Sequence, residues 1–103
     1  MKNTIKKHTD FDFQEILPAA MPAFLMKFRP KRYDSGQFGL VATKRTFRKA
    51  TDRNRAKRLL REWLRLSGRP EHVDVLLVAR APILETNMPD GMTQMKKALK
   101  RIR

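Results

Sequence analysis

Cysteine is absent from this chain of 103 residues, and acidic residues are scarce, with ten Asp and Glu against 24 Lys and Arg. Without cysteine the chain can form neither disulfides nor thiolate metal sites. No apolar run approaches the roughly 20 residues that span a bilayer, and no apolar signal core follows the basic N-terminus. We therefore expect a cytoplasmic protein with a single domain, residues 1–103, and one modest core.

Side chains that could carry out catalysis are also sparse. His8 and His72 lie far apart in the sequence beside no obvious nucleophile, and Asp10 and Asp12 point apart on a helix. The chain has no phosphate-cradling glycine loop and no His-x-x-x-His metal spacing. We therefore assign no catalytic side chain and no metal ligand to the protein.

Positive charge is abundant and unevenly placed. The net charge is +14, and residues 44–69 contain eleven Lys and Arg against only Asp52 and Glu62. Self-repulsion at this charge opposes compaction, so binding of an anionic partner should stabilise the fold. A concentrated patch indicates a binding face, for which nucleic acid is the first candidate and an anionic membrane the second.

The basic segment also carries an apolar stripe with the spacing of one buried helix face. Its members recur at i, i+3, i+4, i+7 and i+8: Ala56, Leu59, Leu60, Trp63 and Leu64. Thr51 or Asp52 can cap this helix, which should continue to about Leu66 and end at Gly68. The pattern predicts a docked helix with an ordered cationic surface.

A helical wheel sorts the polar residues of this helix into rows. Arg53, Lys57 and Arg61 stack at i, i+4 and i+8; the adjacent strip holds Asn54, Arg58 and Arg65, and Arg55 lies across the apolar stripe, near Glu62. Cations spaced at i, i+4 repel each other, so the arrangement is unfavourable unless phosphates neutralise it. Guanidinium groups bind phosphate oxygens bidentately, and an asparagine can contact a sugar hydroxyl or a base edge. The helix therefore predicts nucleic-acid binding.

The remaining segments predict an α/β (α+β) two-layer sandwich, a small mixed sheet with about three helices packed on it. We expect a short opening helix from Thr9 or Asp10 to Leu17, strands at residues 24–28, 38–43 and 73–79, and a final helix at 93–102. The near-continuous apolar run of residues 73–79 indicates a central strand buried on both faces.

Other side chains could extend the basic surface. Phe11 and Phe13 cannot both face inward on the opening helix, so one of them could stack on an unpaired base. Lys27, Lys44 and Arg45 lie on the strands or at their ends, where they could widen the binding surface or simply face solvent.

Two segments resemble the signature of bacterial ribonuclease P protein subunits: Gly39-Leu40-Val41-Ala42-Thr43-Lys44-Arg45 and Arg53-Asn54-Arg55-Ala56-Lys57-Arg58. That family shows a glycine-led strand, a Lys-Lys or Lys-Arg pair, and then Arg-Asn-Arg-x-(Lys/Arg)-Arg on a helix. The stretch from Asp74 to Pro82 is similar to the family's Asp-hydrophobic-Ala-Arg-x-Pro segment, and residues 5–11 look like its opening helix.

The resemblance implies a protein cofactor for a catalytic RNA that removes the 5′ leader of precursor tRNA. The RNA performs the chemistry with Mg²⁺, which it mainly binds itself, and neither a membrane nor a second protein is required. The implied fold is ribosomal protein S5 domain 2-like, with a left-handed β-α-β crossover. The general rule for such crossovers would favour the right-handed form.

The resemblance also implies roles for individual residues. Arg53, Asn54, Lys57 and Arg61 match the row that faces the leader, and Arg55, Arg58 and Arg65 would then contact the catalytic RNA. Phe11 matches an aromatic residue of the leader cleft, which Phe13 could replace or join. Lys27 stands where the family often has a cleft aromatic, so a phosphate contact could replace stacking there. The link at residues 18–23 is short, with no room for the family's usual basic loop and extra short strand.

Three other functions stay open from the residues alone. A structural ribosomal protein could share the small sandwich and the high charge while supporting no processing reaction. A DNA-binding module could place the basic helix in a major groove, although base readout needs more varied polar groups than these arginines. A membrane-surface helix fits less well, because the apolar stripe is needed to cover the sheet.

Overall fold

The structure is a computed structural model that describes residues 19–31 and 33–102. Its elements follow in chain order: β1 (Ala19–Ala20), β2 (Phe24–Pro30), β3 (Phe38–Val41), α1 (Ala50–Ser67), β4 (Val73–Ala79), a 3-10 helix (Ala81–Glu85) and α2 (Met88–Lys100). The predicted opening helix, with Phe11 and Phe13, lies outside the described residues. The described part therefore contains two α-helices of the three that we expected.

The four strands form one mixed sheet in the order β1-β2-β4-β3. β1 lies within the link at residues 18–23 and pairs antiparallel with β2, so the prediction that this link has no room for a short strand was wrong. β4 pairs with β2 antiparallel and with β3 parallel. The central position predicted for residues 73–79 is therefore confirmed. Because β3 and β4 run parallel, α1 is the crossover connection between them. The left-handedness of this crossover stays a prediction.

The pairing register divides the sheet into two faces. Met26 pairs with Leu77 on the side toward α1 and α2, which we call the helix face. Lys27 pairs with Leu76 on the opposite side, which we call the far face. Leu77 and Leu76 are both fully buried. β4 is therefore buried on both faces, as the apolar run predicted.

The main core lies between the helix face and the two helices. Trp63 of α1 is 1% exposed and stands against Gly91 of α2. A Cβ added at Gly91 would overlap the indole ring, so a side chain larger than hydrogen does not fit there. The absence of a side chain at Gly91 thus lets α1 and α2 approach closely.

A buried ion pair holds the start of β4. Asp74 is fully buried and accepts hydrogen bonds from Arg29 Nε through Oδ2 and from the backbone N–H of Gln37 through Oδ1, each at 2.9 Å. A single carboxylate thus joins β2 on one side to the segment that leads into β3 on the other. The sequence marked Asp74 through the family segment, and the structure gives it an architectural role.

The helix starts differ from those predicted. α1 begins at Ala50, and Lys49 occupies its N-cap without a side-chain cap, so Thr51 and Asp52 both lie in the first turn. The prediction that one of them caps the helix was wrong. Asp52 still places a negative charge near the positive end of the helix dipole. Gly68 ends the helix with a φ of 91°, a conformation that favours glycine.

α2 begins five residues before the predicted start at residue 93. Asn87 is its N-cap and accepts a hydrogen bond from the backbone N–H of Asp90 at 2.9 Å, and Pro89 lies in the first turn. This is a standard helix start, but the apolar periodicity used for the prediction begins only later. The segment between the predicted strand at residues 73–79 and the predicted helix at 93–102 therefore contains the 3-10 helix and the first turn of α2.

The close contact between α1 and α2 can be tested with Gly91→Ala. Alanine has the higher helix propensity, by about 1 kcal/mol, but its methyl group would overlap the buried Trp63 ring. We expect a net loss of about 1–3 kcal/mol in the free energy of unfolding, measured by urea denaturation. Lys96→Ala, at an exposed site on the same helix, is the control and should change it little. A Gly91→Ala variant as stable as the parent would contradict the packing described.

Candidate nucleic-acid interface

α1 divides cleanly into a buried side and a cationic side. Its fully buried residues are Ala56, Leu60, Trp63 and Leu64, and Leu59 packs partly buried at their edge. The exposed polar residues are Thr51, Asn54, Arg55, Arg58, Arg61 and Arg65. The predicted apolar stripe is therefore confirmed, and the rigid docking of the helix fixes the direction in which its cations point.

The row predicted to face the leader borders the buried stripe. Arg53 and Lys57 are half-buried, whereas Arg61, further along the row, is exposed. Arg53 Nη1 donates hydrogen bonds to the carbonyl oxygens of Phe47 and Arg48, at 2.9 and 3.1 Å. Arg53 therefore ties the loop before α1 to the first turn of the helix, a role that the helical wheel gave no signal for.

Arg65 has an internal partner on its own helix. Its Nη2 lies 2.6 Å from Glu62 Oε1 and its Nε lies 3.4 Å from Oε2, so the contact is bidentate. The hydrogen bond and the charge of Glu62 raise the pKa of Arg65. The sequence had placed Glu62 near Arg55. Because both side chains are solvent-exposed, the pair adds little stability and a phosphate can compete for Arg65.

Lys44 and Arg45 are exposed in a turn between β3 and α1. The Thr46 backbone N–H donates to Thr43 Oγ1 at 3.2 Å, and the Phe47 backbone N–H donates to the Thr43 carbonyl at 2.9 Å. Phe47 is buried and anchors the end of this turn in the core. The turn therefore presents both cations beside the N-terminal end of α1.

A cavity of about 350 Å³ lies next to this turn, at the carboxyl end of β4. Its lining includes Leu25, Thr46, Val78 and Arg80. The Arg80 guanidinium donates to the Met21 carbonyl at 3.0 Å, which positions it at the rim. Sequence reasoning missed Arg80 and Thr46 as candidate site residues, although Arg80 falls within the Ala-Arg-x-Pro segment.

Lys27 lies on the far face of the sheet, opposite the face that carries α1. It is half-buried, and its burial lowers the pKa of the ammonium group. The structure therefore does not bring Lys27 directly against the arginine row. Leu25 and Val78, which pair on the far face, also line the cavity beside the basic turn. The cavity thus extends from Leu25 on the far face to Thr46 in the turn before α1.

The described side chains of this interface offer hydrogen-bond donors and positive charge. Within residues 19–31 and 33–102, no three His, Cys, Asp or Glu residues are grouped so that they could hold a metal ion. None of the helices in the same part of the chain combines the length and apolar character needed to cross a membrane. The arrangement suits the binding of a polyanion.

The whole chain, residues 1–103, matches the family model described as ribonuclease P. The chain belongs to the ribonuclease P protein family. It is 33% identical over 91 residues to the ribonuclease P protein component of Pseudoalteromonas translucida, covering 87% of this chain and 65% of that protein. It is 31% identical over 97 residues to the component of Legionella pneumophila strain Corby, covering 94% and 84% of the two chains.

Solved structures of the family share the fold. The RNase P protein of Staphylococcus aureus superposes with a TM-score of 0.77 at 23% identity, covering 100% of this chain and 97% of that one. The Thermotoga maritima RNase P protein superposes with a TM-score of 0.62 at 22% identity, covering 95% and 94%. The mixed α/β architecture expected from the resemblance is thereby confirmed.

Arg53 belongs to the cationic row of α1 and also holds the loop before the helix. Alanine substitutions along this row should therefore differ in their effect on stability. Arg53→Ala should lower the free energy of unfolding by about 1–3 kcal/mol, because two backbone carbonyls lose their donor. Arg61→Ala removes the same charge from an exposed position and should change stability by less than about 0.5 kcal/mol. Urea denaturation of both variants measures the difference. Equal stabilities would show that Arg53 does not hold the loop.

Proposed function

We propose that this chain is the protein subunit of a ribonuclease P, an endoribonuclease that matures the 5′ end of tRNA. In this proposal it binds the catalytic RNA and the 5′ leader of precursor tRNA, and so promotes Mg²⁺-dependent cleavage of the leader by the RNA. The observation that carries the proposal is the ordered cationic side of α1 in a chain that belongs to this family.

The proposed leader path has two parts that join at the carboxyl end of β4. Lys27 contacts leader phosphates on the far face, and the partial burial of its ammonium group strengthens its attraction to an anion. The strand then passes the cavity at Thr46 and Arg80 and reaches Lys44 and Arg45 beside the start of α1. From there Arg53, Asn54, Lys57 and Arg61 continue the path, and Phe11 and Phe13 stay predicted stacking residues.

The rest of the cationic side is proposed to bind the catalytic RNA. Arg55, Arg58 and Arg65 are exposed on α1, outside the leader row. Bidentate guanidinium–phosphate contacts would fix the orientation of the protein on the RNA. Arg65 would exchange the Glu62 carboxylate for a phosphate, two partners of the same charge sign.

The protein side chains contribute positioning in this mechanism. The RNA would cleave the scissile bond with Mg²⁺, an ion that would neutralise charge and activate the nucleophile. Lys27, Lys44, Arg45 and the α1 row hold the leader, and holding it reduces the entropy lost on docking the precursor. No protein side chain is assigned a proton-transfer step, and the proposed location is the cytoplasm.

Two double variants separate leader binding from binding to the catalytic RNA. Lys57→Ala with Arg61→Ala should weaken holoenzyme binding of precursor tRNA by on the order of tenfold or more, because each lost charge-assisted contact contributes about 1.5 kcal/mol. Binding of mature tRNA, which has no leader, should hardly change. The slope of log affinity against log salt should also become shallower by about 1.4, or about 0.7 for each single-strand phosphate released.

The matched control removes the same number of charges from the other row. Arg55→Ala with Arg58→Ala should weaken assembly with the catalytic RNA and leave the ratio of precursor to mature tRNA affinity unchanged. Equal losses for precursor and mature tRNA in the first variant would overturn the leader assignment. If the chain bound neither the catalytic RNA nor precursor tRNA but bound folded ribosomal RNA tightly, it would be a structural RNA-binding protein.

A further inference from the structure

A second cavity, of about 270 Å³, lies at the C-terminal end of α1. It is lined by Phe38, Arg61, Leu64, Arg65 and Arg69. We call this set the arginine–phenylalanine pocket. Leu64 is 2% exposed and forms an apolar floor, and Phe38 is the first residue of the edge strand β3. Neither Phe38 nor Arg69 was among the functional residues predicted from the sequence.

The pocket combines an aromatic ring with three guanidinium groups. The Arg69 guanidinium carbon lies 5.1 Å from the centre of the Phe38 ring, within the range of a cation–π contact. Arg61 and Arg65 stand one turn apart on α1, where like charges repel. Glu62 pairs with Arg65, and within residues 19–31 and 33–102 neither Arg61 nor Arg69 forms an ion pair with a carboxylate. An anionic ligand would relieve this excess of positive charge.

We propose that this pocket binds one unpaired nucleotide of the catalytic RNA. The base stacks on the Phe38 ring, and the Arg69 guanidinium, which lies over that ring, moves outward to stack on the other face of the base. Arg65 binds the flanking phosphate. Aromatic rings and guanidinium planes are the surfaces on which proteins stack splayed-out bases. A volume just below the ~300–1,000 Å³ of drug-sized pockets suits one base rather than a larger ligand.

The position of the pocket favours the catalytic RNA over the leader. Arg53 and Arg65 are twelve residues apart on one helix, which places them about 18 Å apart along its axis. The pocket therefore lies at the opposite end of α1 from Lys44 and Arg45, where the proposed leader path reaches the helix. Phe38 also lies on the helix face, whereas Lys27 lies on the far face. Arg61 stands between the two sites.

The proposal rests on the proposed function for the identity of the RNA, and its test uses the full chain with the catalytic RNA alone. Phe38→Leu keeps an apolar side chain and removes the ring, and Arg69→Gln removes the cation above it without touching the core. Each should weaken binding to the catalytic RNA at least about fivefold, the smallest loss expected for one stacked base. Phe38→Tyr keeps the aromatic ring and should bind the catalytic RNA as the parent does. Lys97→Gln, an exposed single-charge loss on α2, is the control for charge alone.

A direct probe is a short unstructured oligoribonucleotide that carries a fluorescent adenine analogue. Its emission should be quenched by the parent and by Phe38→Tyr, and much less by Phe38→Leu. Urea denaturation of each variant identifies losses that come only from unfolding. If Phe38→Leu and Arg69→Gln, both folded, bind the catalytic RNA as the parent does, the pocket assignment is wrong.

Two further outcomes separate this proposal from the proposed function. If the folded pocket variants instead lower the ratio of precursor to mature tRNA affinity, with catalytic RNA binding intact, the pocket holds the leader and the assignment is overturned. If they lose catalytic RNA binding while the parent shows no preference for precursor over mature tRNA, the pocket assignment stands and the leader function fails.

Discussion

Contact between the Trp63 indole and Gly91 holds α1, the more basic of the two described α-helices, against the rest of the fold. The arginine-rich side of α1 does not itself stabilise the helix, since cations one turn apart repel. Burial of its apolar side against α2 and the sheet offsets that repulsion. Because the docked helix cannot rotate, Arg55, Arg58 and Arg61 project in fixed directions.

Several charged groups have partners within the protein, and these contacts fix the elements that carry the cationic surface. Arg53 holds the loop before α1, Arg65 is paired with Glu62, and Arg29 is buried against Asp74. The Arg29–Asp74 pair, through the Asp74 bond to Gln37, fixes the position at which β3 begins. The contact of Arg53 with the preceding loop sets where α1 starts. The same residue types therefore build the frame and form the surface, and their partners within the protein, rather than the sequence motif, distinguish the two uses.

Much of this arrangement could be predicted because it depends on local periodicity. The apolar stripe of α1, the central position of residues 73–79 and the helix end at Gly68 follow from spacing and composition alone. The early start of α2 was missed because Asn87 and Pro89 precede its periodic residues. The pairing of Phe38 with Arg69 could not be predicted, since it depends on how α1 lies across the edge strand. The separation of Lys27 from the arginine row likewise depends on pairing register.

The most direct test is the cleavage of precursor tRNA by a bacterial catalytic RNA at low Mg²⁺, with and without this protein. At low Mg²⁺ the RNA lacks part of the positive charge that it needs, and the cationic side of α1 should supply it. The account predicts faster cleavage at the mature 5′ end when the protein is present. An unchanged rate, with tight binding to the catalytic RNA retained, would contradict it.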